Sequence, residues 1–158
     1  MATAGYSGTP LPKKLGVTTG ARVLVVGPAP DGFLSDVDDV TWVGGGRGIV
    51  DLAVVFTTST ADFRTRLEVV QRRLAADGAV WFAWPKRASG VATDLTEDVI
   101  RDVAVAETAL VDNKVCAIDD TWSGLRLVVR VSDRPAWPVP ARAPVRPARG
   151  SAAGRGPT

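Results

Sequence analysis

Along the chain, apolar residues fall into short unbroken runs divided by glycine, proline and small polar residues. Arg22-Val-Leu-Val-Val26 stops at Gly27-Pro28, Leu52-Ala-Val-Val-Phe56 at Thr57-Thr58-Ser59, and Ala79-Val-Trp-Phe-Ala-Trp84 at Pro85. Runs of this length without polar alternation predict strands covered on both faces, as in a parallel sheet. Val40-Thr-Trp-Val43, ended by Gly44-Gly45-Gly46-Arg47-Gly48, predicts another short strand. Phe63, Leu67, Val70 and Leu74 recur at helical spacing, with Arg64, Arg66, Arg72 and Arg73 mostly off that stripe. They predict a helix opened by Thr60 and closed by Asp77-Gly78. Asp94-Leu-Thr-Glu97 has the spacing of a capping box and predicts a second helix through about Thr108. Lys114-Val-Cys-Ala-Ile118 predicts a fifth strand, and Asp119 to Gly124 a turn. In the sixth strand, Leu125, Leu127, Val129 and Val131 alternate with Arg126, Val128, Arg130 and Ser132, the mark of an antiparallel strand with one wetter face. A short helix after Thr9-Pro10, ended by Gly16, precedes the first strand.

The fold class is therefore α/β: a small Rossmann-like, mostly parallel sheet with helices on its faces and a C-terminal antiparallel hairpin. Residues 9–133 form one domain, preceded by a flexible segment, 1–8. Residues 134–158 are rich in Pro, Ala, Arg and Gly and lack any apolar period, which predicts a disordered tail. The net charge of +2 is uneven, because five arginines without an acid lie beyond Asp133 and leave the preceding residues at −3. Spaced arginines in such a tail would suit nucleic acid or an acidic partner.

Composition narrows the chemistry. The chain has no histidine, which removes imidazole acid–base catalysis, the common nucleophile triads and histidine metal ligands. Its single cysteine, Cys116, falls mid-strand and reads as a buried, inert thiol. Neither a membrane-length apolar run nor a secretory leader is visible, so the expected compartment is the cytoplasm.

Several blocks resemble a known family. Tyr6-Ser-Gly-Thr-Pro-Leu-Pro-Lys-Lys-Leu-Gly16, Trp84-Pro-Lys86, Ser89-Gly90, Thr93-Asp-Leu-Thr-Glu-Asp98 and Thr121-Trp-Ser-Gly-Leu-Arg126 look like the signature blocks of a functionally uncharacterised family of small bacterial proteins, a domain of unknown function. More generally, Leu15-Gly16 with Gly20-Ala-Arg-Val-Leu-Val-Val-Gly27 resembles the approach to the first strand of class I S-adenosylmethionine-dependent methyltransferases. Asp51-Leu-Ala-Val-Val-Phe56 is similar to their fourth strand, and Leu74-Ala-Ala-Asp-Gly78 to the approach to their fifth. The resemblance implies a trimmed methyltransferase-like fold with S-adenosylmethionine as the implied cofactor. In that family an acid ends the first strand before a glycine loop, and another acid after the second strand holds the ribose. Here the loop reads Gly27-Pro28-Ala29-Pro30 and the second strand runs into Gly44-Gly45. Proline supplies neither the backbone N–H nor the positive φ of such loops.

Ligands of open parallel sheets bind outside the carboxyl ends of the strands. That rule gathers Gly27, Asp31, Gly32, Gly44, Gly45, Thr57, Thr58, Trp84, Lys86 and Arg87 as ligand-binding candidates. Trp84 would stack on a ring, while Lys86 and Arg87, before a capped helix, favour an anion. Trp81 and Trp84, three apart on one strand, are expected on opposite faces. No catalytic or metal-binding constellation emerges. The leading reading is a non-catalytic methyltransferase-like module that binds a small nucleotide-like or anionic ligand, or a protein partner. Against it stand a methyltransferase with an atypical cofactor loop, in which Asp31 or Asp51 replaces the missing acids, and a nucleic-acid-associated protein acting through its tail.

Overall fold

The computed structural model describes residues 9–44 and 47–140. The apolar runs become β1 (Arg22–Val26), β3 (Val50–Phe56) and β4 (Leu74–Pro85), joined by β2 (Thr41–Trp42), β5 (Leu110–Ala117) and β6 (Trp122–Val129). They form a six-stranded sheet in the order β2-β1-β3-β4-β6-β5. β1, β2, β3 and β4 are parallel, and β6 runs antiparallel to both β4 and β5. This is the expected α/β architecture: a small, mostly parallel sheet with helices on its faces and a closing antiparallel hairpin.

Three boundaries differ from the pattern reading, each for a local reason. β4 begins at Leu74, because Asp77-Gly78 is absorbed in a bulge rather than ending a helix: Val50 pairs with Leu74, yet Leu52 pairs with Ala79. A Cβ on Gly78 would lie 2.7 Å from the Asp51 carbonyl oxygen, so only glycine fits there. β5 starts earlier, at Leu110, through another register shift between Asp112 and Lys114. β6 starts at Trp122, because Asp119 accepts hydrogen bonds from the Thr121 and Trp122 amides at 2.8 Å and closes the turn within residues 118–122. After Val129 the chain leaves the sheet for a 3-10 segment, Val131–Ala136.

The helices are α1 (Leu11–Leu15), α2 (Thr60–Gln71) and α3 (Glu97–Glu107). α2 is capped by Ser59, one residue before the expected Thr60; its hydroxyl accepts from the Asp62 amide at 3.1 Å. α3 is capped by Thr96, which accepts from the Val99 amide, and the expected Asp94 is released for another task.

The sheet separates two cores. One face carries Val55, Phe63, Phe82, Trp84, Ile100 and Leu127 beneath α2 and α3. The other carries Leu15, Leu34, Val54, Phe56, Trp81 and Trp122 beneath α1 and residues 27–40. Trp81 and Trp84 thus face opposite ways, as their spacing requires, and the Trp81 indole N–H donates to the Leu15 carbonyl at 2.8 Å.

Packed structure continues past residue 133. The Trp137 indole donates to the Leu74 carbonyl at 2.7 Å and packs against the first core, and Val139 is buried. The remaining tail, with Arg142, Arg146, Arg149 and Arg155, lies outside the described residues, as do residues 1–8. Among the described residues no helix is long and apolar enough to cross a membrane.

Candidate ligand site at the carboxyl edge

In a sheet of this order the chain leaves β1 toward β2 and returns to β3, so the topological switch point lies between β1 and β3. Backbone fills that crevice. Gly27 has φ +90°, and a Cβ on it would stand 2.0 Å from the Phe56 carbonyl oxygen. The Phe56 ring is clamped edge-on between Phe33 and Trp122, with centroids 5.0 Å away on each side. Trp122, expected within the hairpin turn, opens β6 and is buried as part of this stack. Above it the Ala29 amide donates to the Gly27 carbonyl at 2.8 Å, and Pro28 and Pro30 carry no N–H to offer. Asp31 and Gly32 sit further along in an exposed turn, with the Gly32 carbonyl accepting from the Ser35 amide.

Gly44, after β2, is held away from this edge. The Arg73 guanidinium donates to the Gly44 and Gly48 carbonyls at 2.8 Å each, and its own carbonyl accepts from Val50 at the start of β3. Gly44 is therefore tied to the amino edge, and Gly45 lies outside the described residues. Burial lowers the proton affinity of Arg73. Asp51 belongs to the amino edge as well. Its carboxylate accepts from the Arg22 amide at 2.8 Å and from both arms of the Arg22 guanidinium at 2.9 Å. That contact raises the Arg22 pKa. Asp51 is therefore distant from the place where a missing cofactor acid would act.

These observations test the cofactor that the sequence resemblance implies. The usual cradle needs amide donors after the first strand and an acid after the second. This chain presents prolines, a closed crevice and a glycine carbonyl bound to arginine. The residues present do not fit S-adenosylmethionine in that manner.

A different concavity opens beside β4. A cleft of about 520 Å³ is lined by Trp84, Pro85, Arg87 and residues 90–97. Two side chains tie its wall to the turn after β3. The Thr93 hydroxyl donates to the Thr58 carbonyl at 2.6 Å, and Asp94 accepts from the Thr60 amide at 2.7 Å. Asp94 thus acts as a carboxylate at the start of α2, where the helix dipole favours one. Thr57 is buried and turned inward, its hydroxyl donating to Asp62 at 2.7 Å.

The charges around this cleft are unequally engaged. Asp62 holds Thr57 and pairs with Arg66, Asp94 holds Thr60, Asp119 holds the hairpin amides, and Glu97 and Asp98 both pair with Arg101. The side chains of Lys86 and Arg87 form no ion pair or hydrogen bond with the described residues, although the Lys86 backbone is fixed by its amide donating to Thr121. The cleft's own acids, Asp94 and Glu97, are thus engaged, and beside it the open charges are Lys86, Arg87 and, in the hairpin turn, Asp120. Of the sequence candidates, Trp84 and Arg87 line the cleft and Thr58 is tied to its wall through Thr93, whereas Gly27, Asp31, Gly32, Gly44, Thr57 and Lys86 do not line it. Pattern reading missed the Gly90-to-Leu95 wall, whose Thr93 and Asp94 passed for helix-start residues.

No protein-family model matches the chain, and no curated protein matches it. Among solved structures, it is similar to a TehB-like SAM-dependent methyltransferase from Corynebacterium glutamicum, with a TM-score of 0.49 at 14% identity over 75% of this chain and 85% of the other. It is also similar to the N-methyltransferase NodS from Bradyrhizobium japonicum, with a TM-score of 0.44 at 18% identity over 68% and 73% of the two chains.

Proposed function

We propose that this protein is a methyltransferase-like binding module that takes a small anionic, ring-bearing ligand of nucleotide type in the cleft beside Trp84. The observation that carries this reading is the asymmetry of commitment: the acids that line the cleft, Asp94 and Glu97, are engaged internally, while Arg87 in its lining and the adjacent Lys86 are not. A guanidinium and an ammonium with open donors match phosphate or carboxylate oxygens. The Trp84 indole, buried at 8% exposure, forms an apolar part of the cleft wall against which a ring can pack.

A second reading is an S-adenosylmethionine-dependent methyltransferase with an atypical loop. The architecture supports it: β1, β3, β4 and the antiparallel closing hairpin occupy the places of the first, fourth, fifth and last strands of that fold. On architecture alone it is the better supported of the two. The chemistry of the Gly27-to-Pro30 loop and the Gly44 tether favour the first reading, since fold does not carry activity with it.

Calorimetric titration of the full chain with S-adenosylmethionine, its demethylated product and adenosine diphosphate separates them. Micromolar binding of the diphosphate, about −8 kcal/mol, with its loss in Arg87→Ala, supports the binding module. Binding of S-adenosylmethionine that depends on Asp31 supports the enzyme instead.

A further inference from the structure

The two faces of the sheet are unequally covered. α2, α3 and Trp137 pack on one face. The other is covered by the five-residue α1 and by the turns of residues 27–40, which leave Leu11, Val17, Phe33, Val37 and Val128 only partly buried.

Charge on this thinner face is segregated. On the β1–β2 side, Asp31, Asp36, Asp38 and Asp39 are exposed on the segment whose Phe33, Leu34 and Val37 pack down on the sheet. On the β5–β6 side stand Lys114 and Arg126, which pair directly across the two strands. Arg126 points to this face because its other neighbour, Trp81, does. Its guanidinium donates to a neutral group, Asn113 Oδ1, at 3.2 Å. The Lys114 ammonium donates to the Lys14 carbonyl at 3.2 Å, which brings α1 and its exposed Lys13 to the same side. Asp112, the nearest acid on β5, is engaged by Arg101 at 2.9 Å.

We propose that this face is the interface of a symmetric homodimer. One half of the face is acidic, the other basic, and the strip between them is apolar, so the surface is complementary to itself. The charges also select the symmetry axis. A two-fold axis parallel to the strands brings the acidic half of each copy onto the basic half of the other. A two-fold axis across the strands would set acid on acid. The sheet-edge cleft beside Trp84 lies under the opposite face and stays accessible, so dimerisation and ligand binding are independent.

Sedimentation equilibrium of the full chain is the test. The expected result is a dimer at low ionic strength whose association weakens at least about tenfold between ~0.05 and ~0.5 M salt, as facing charges are screened. Two charge-reversed chains, Asp36→Lys with Asp38→Lys and Lys114→Glu with Arg126→Glu, are each expected to be monomeric and to form a mixed dimer when combined. Lys114→Glu alone, at an exposed position, serves if the half-buried Arg126→Glu change impairs folding. A monomeric wild-type chain, a dimer indifferent to both reversals, or reversed chains that fail to associate when mixed would each overturn the proposal.

Discussion

Gly27 and Phe56 meet where the sheet changes direction, with no room between the Gly27 backbone and the Phe56 carbonyl oxygen for even one methyl group. That contact turns the crevice between β1 and β3 into packed interior. Gly27→Ala is expected to destabilise the protein by about 3 kcal/mol or more, because the clash is with backbone and φ is positive. Chemical denaturation measures it. A loss below about 1 kcal/mol would mean that the crevice can open.

The Arg22–Asp51 pair tests the separation of the two sheet edges. Asp51→Asn removes a bidentate contact between groups that are 25% and 17% exposed and should cost roughly 1–2 kcal/mol of stability. Ligand affinity should not change, because the pair lies at the amino edge. A selective loss of affinity in a stably folded Asp51→Asn protein would place Asp51 in the site after all.

Trp137 extends the packed structure past residue 133. Trp137→Ala removes a hydrogen bond and a side chain laid on the first core, at an expected cost of roughly 2 kcal/mol. The thermal midpoint should fall accordingly, while deletion of 141–158 should leave it unchanged. An unchanged midpoint in Trp137→Ala would move the boundary back toward residue 133.

Burial raises the pKa of the Cys116 thiol, against the smaller opposing influence of Lys14 and Lys114. A raised pKa means less thiolate at any given pH, so alkylation of the folded protein should be slower than that of the unfolded chain. Its rate should rise through an inflection shifted to higher pH. An inflection at or below that of the unfolded chain would contradict the burial.

Much of the fold was legible in the sequence because the sheet is built from unbroken apolar runs, and Leu52 to Phe56 or Ala79 to Trp84 can hardly be anything but covered strands. Alternation in Leu125, Leu127 and Val129 also announced the antiparallel closure. What escaped depends on contacts distant in sequence. Gly78 reads as a helix stop until Asp51 is seen packed against it. Asp94 reads as a cap until Thr60 is found 2.7 Å away. Trp137 sits in a stretch of tail-like composition, and one indole hydrogen bond draws it onto the core. The candidate site divided in the same manner. Trp84 and Arg87 lie three residues apart and both line the cleft, whereas Gly44 was expected beside them and is instead drawn away by Arg73 at the exit of the two-residue β2.

The central claim is that ligand binds beside Trp84 rather than at Gly27. Backbone amide NMR of the full chain, titrated with adenosine diphosphate, tests it most directly. The account predicts shifts concentrated in residues 84–97 and 57–60, abolished when Lys86 and Arg87 are both changed to alanine. Shifts centred on residues 27–32, or no shifts with this ligand, would contradict it.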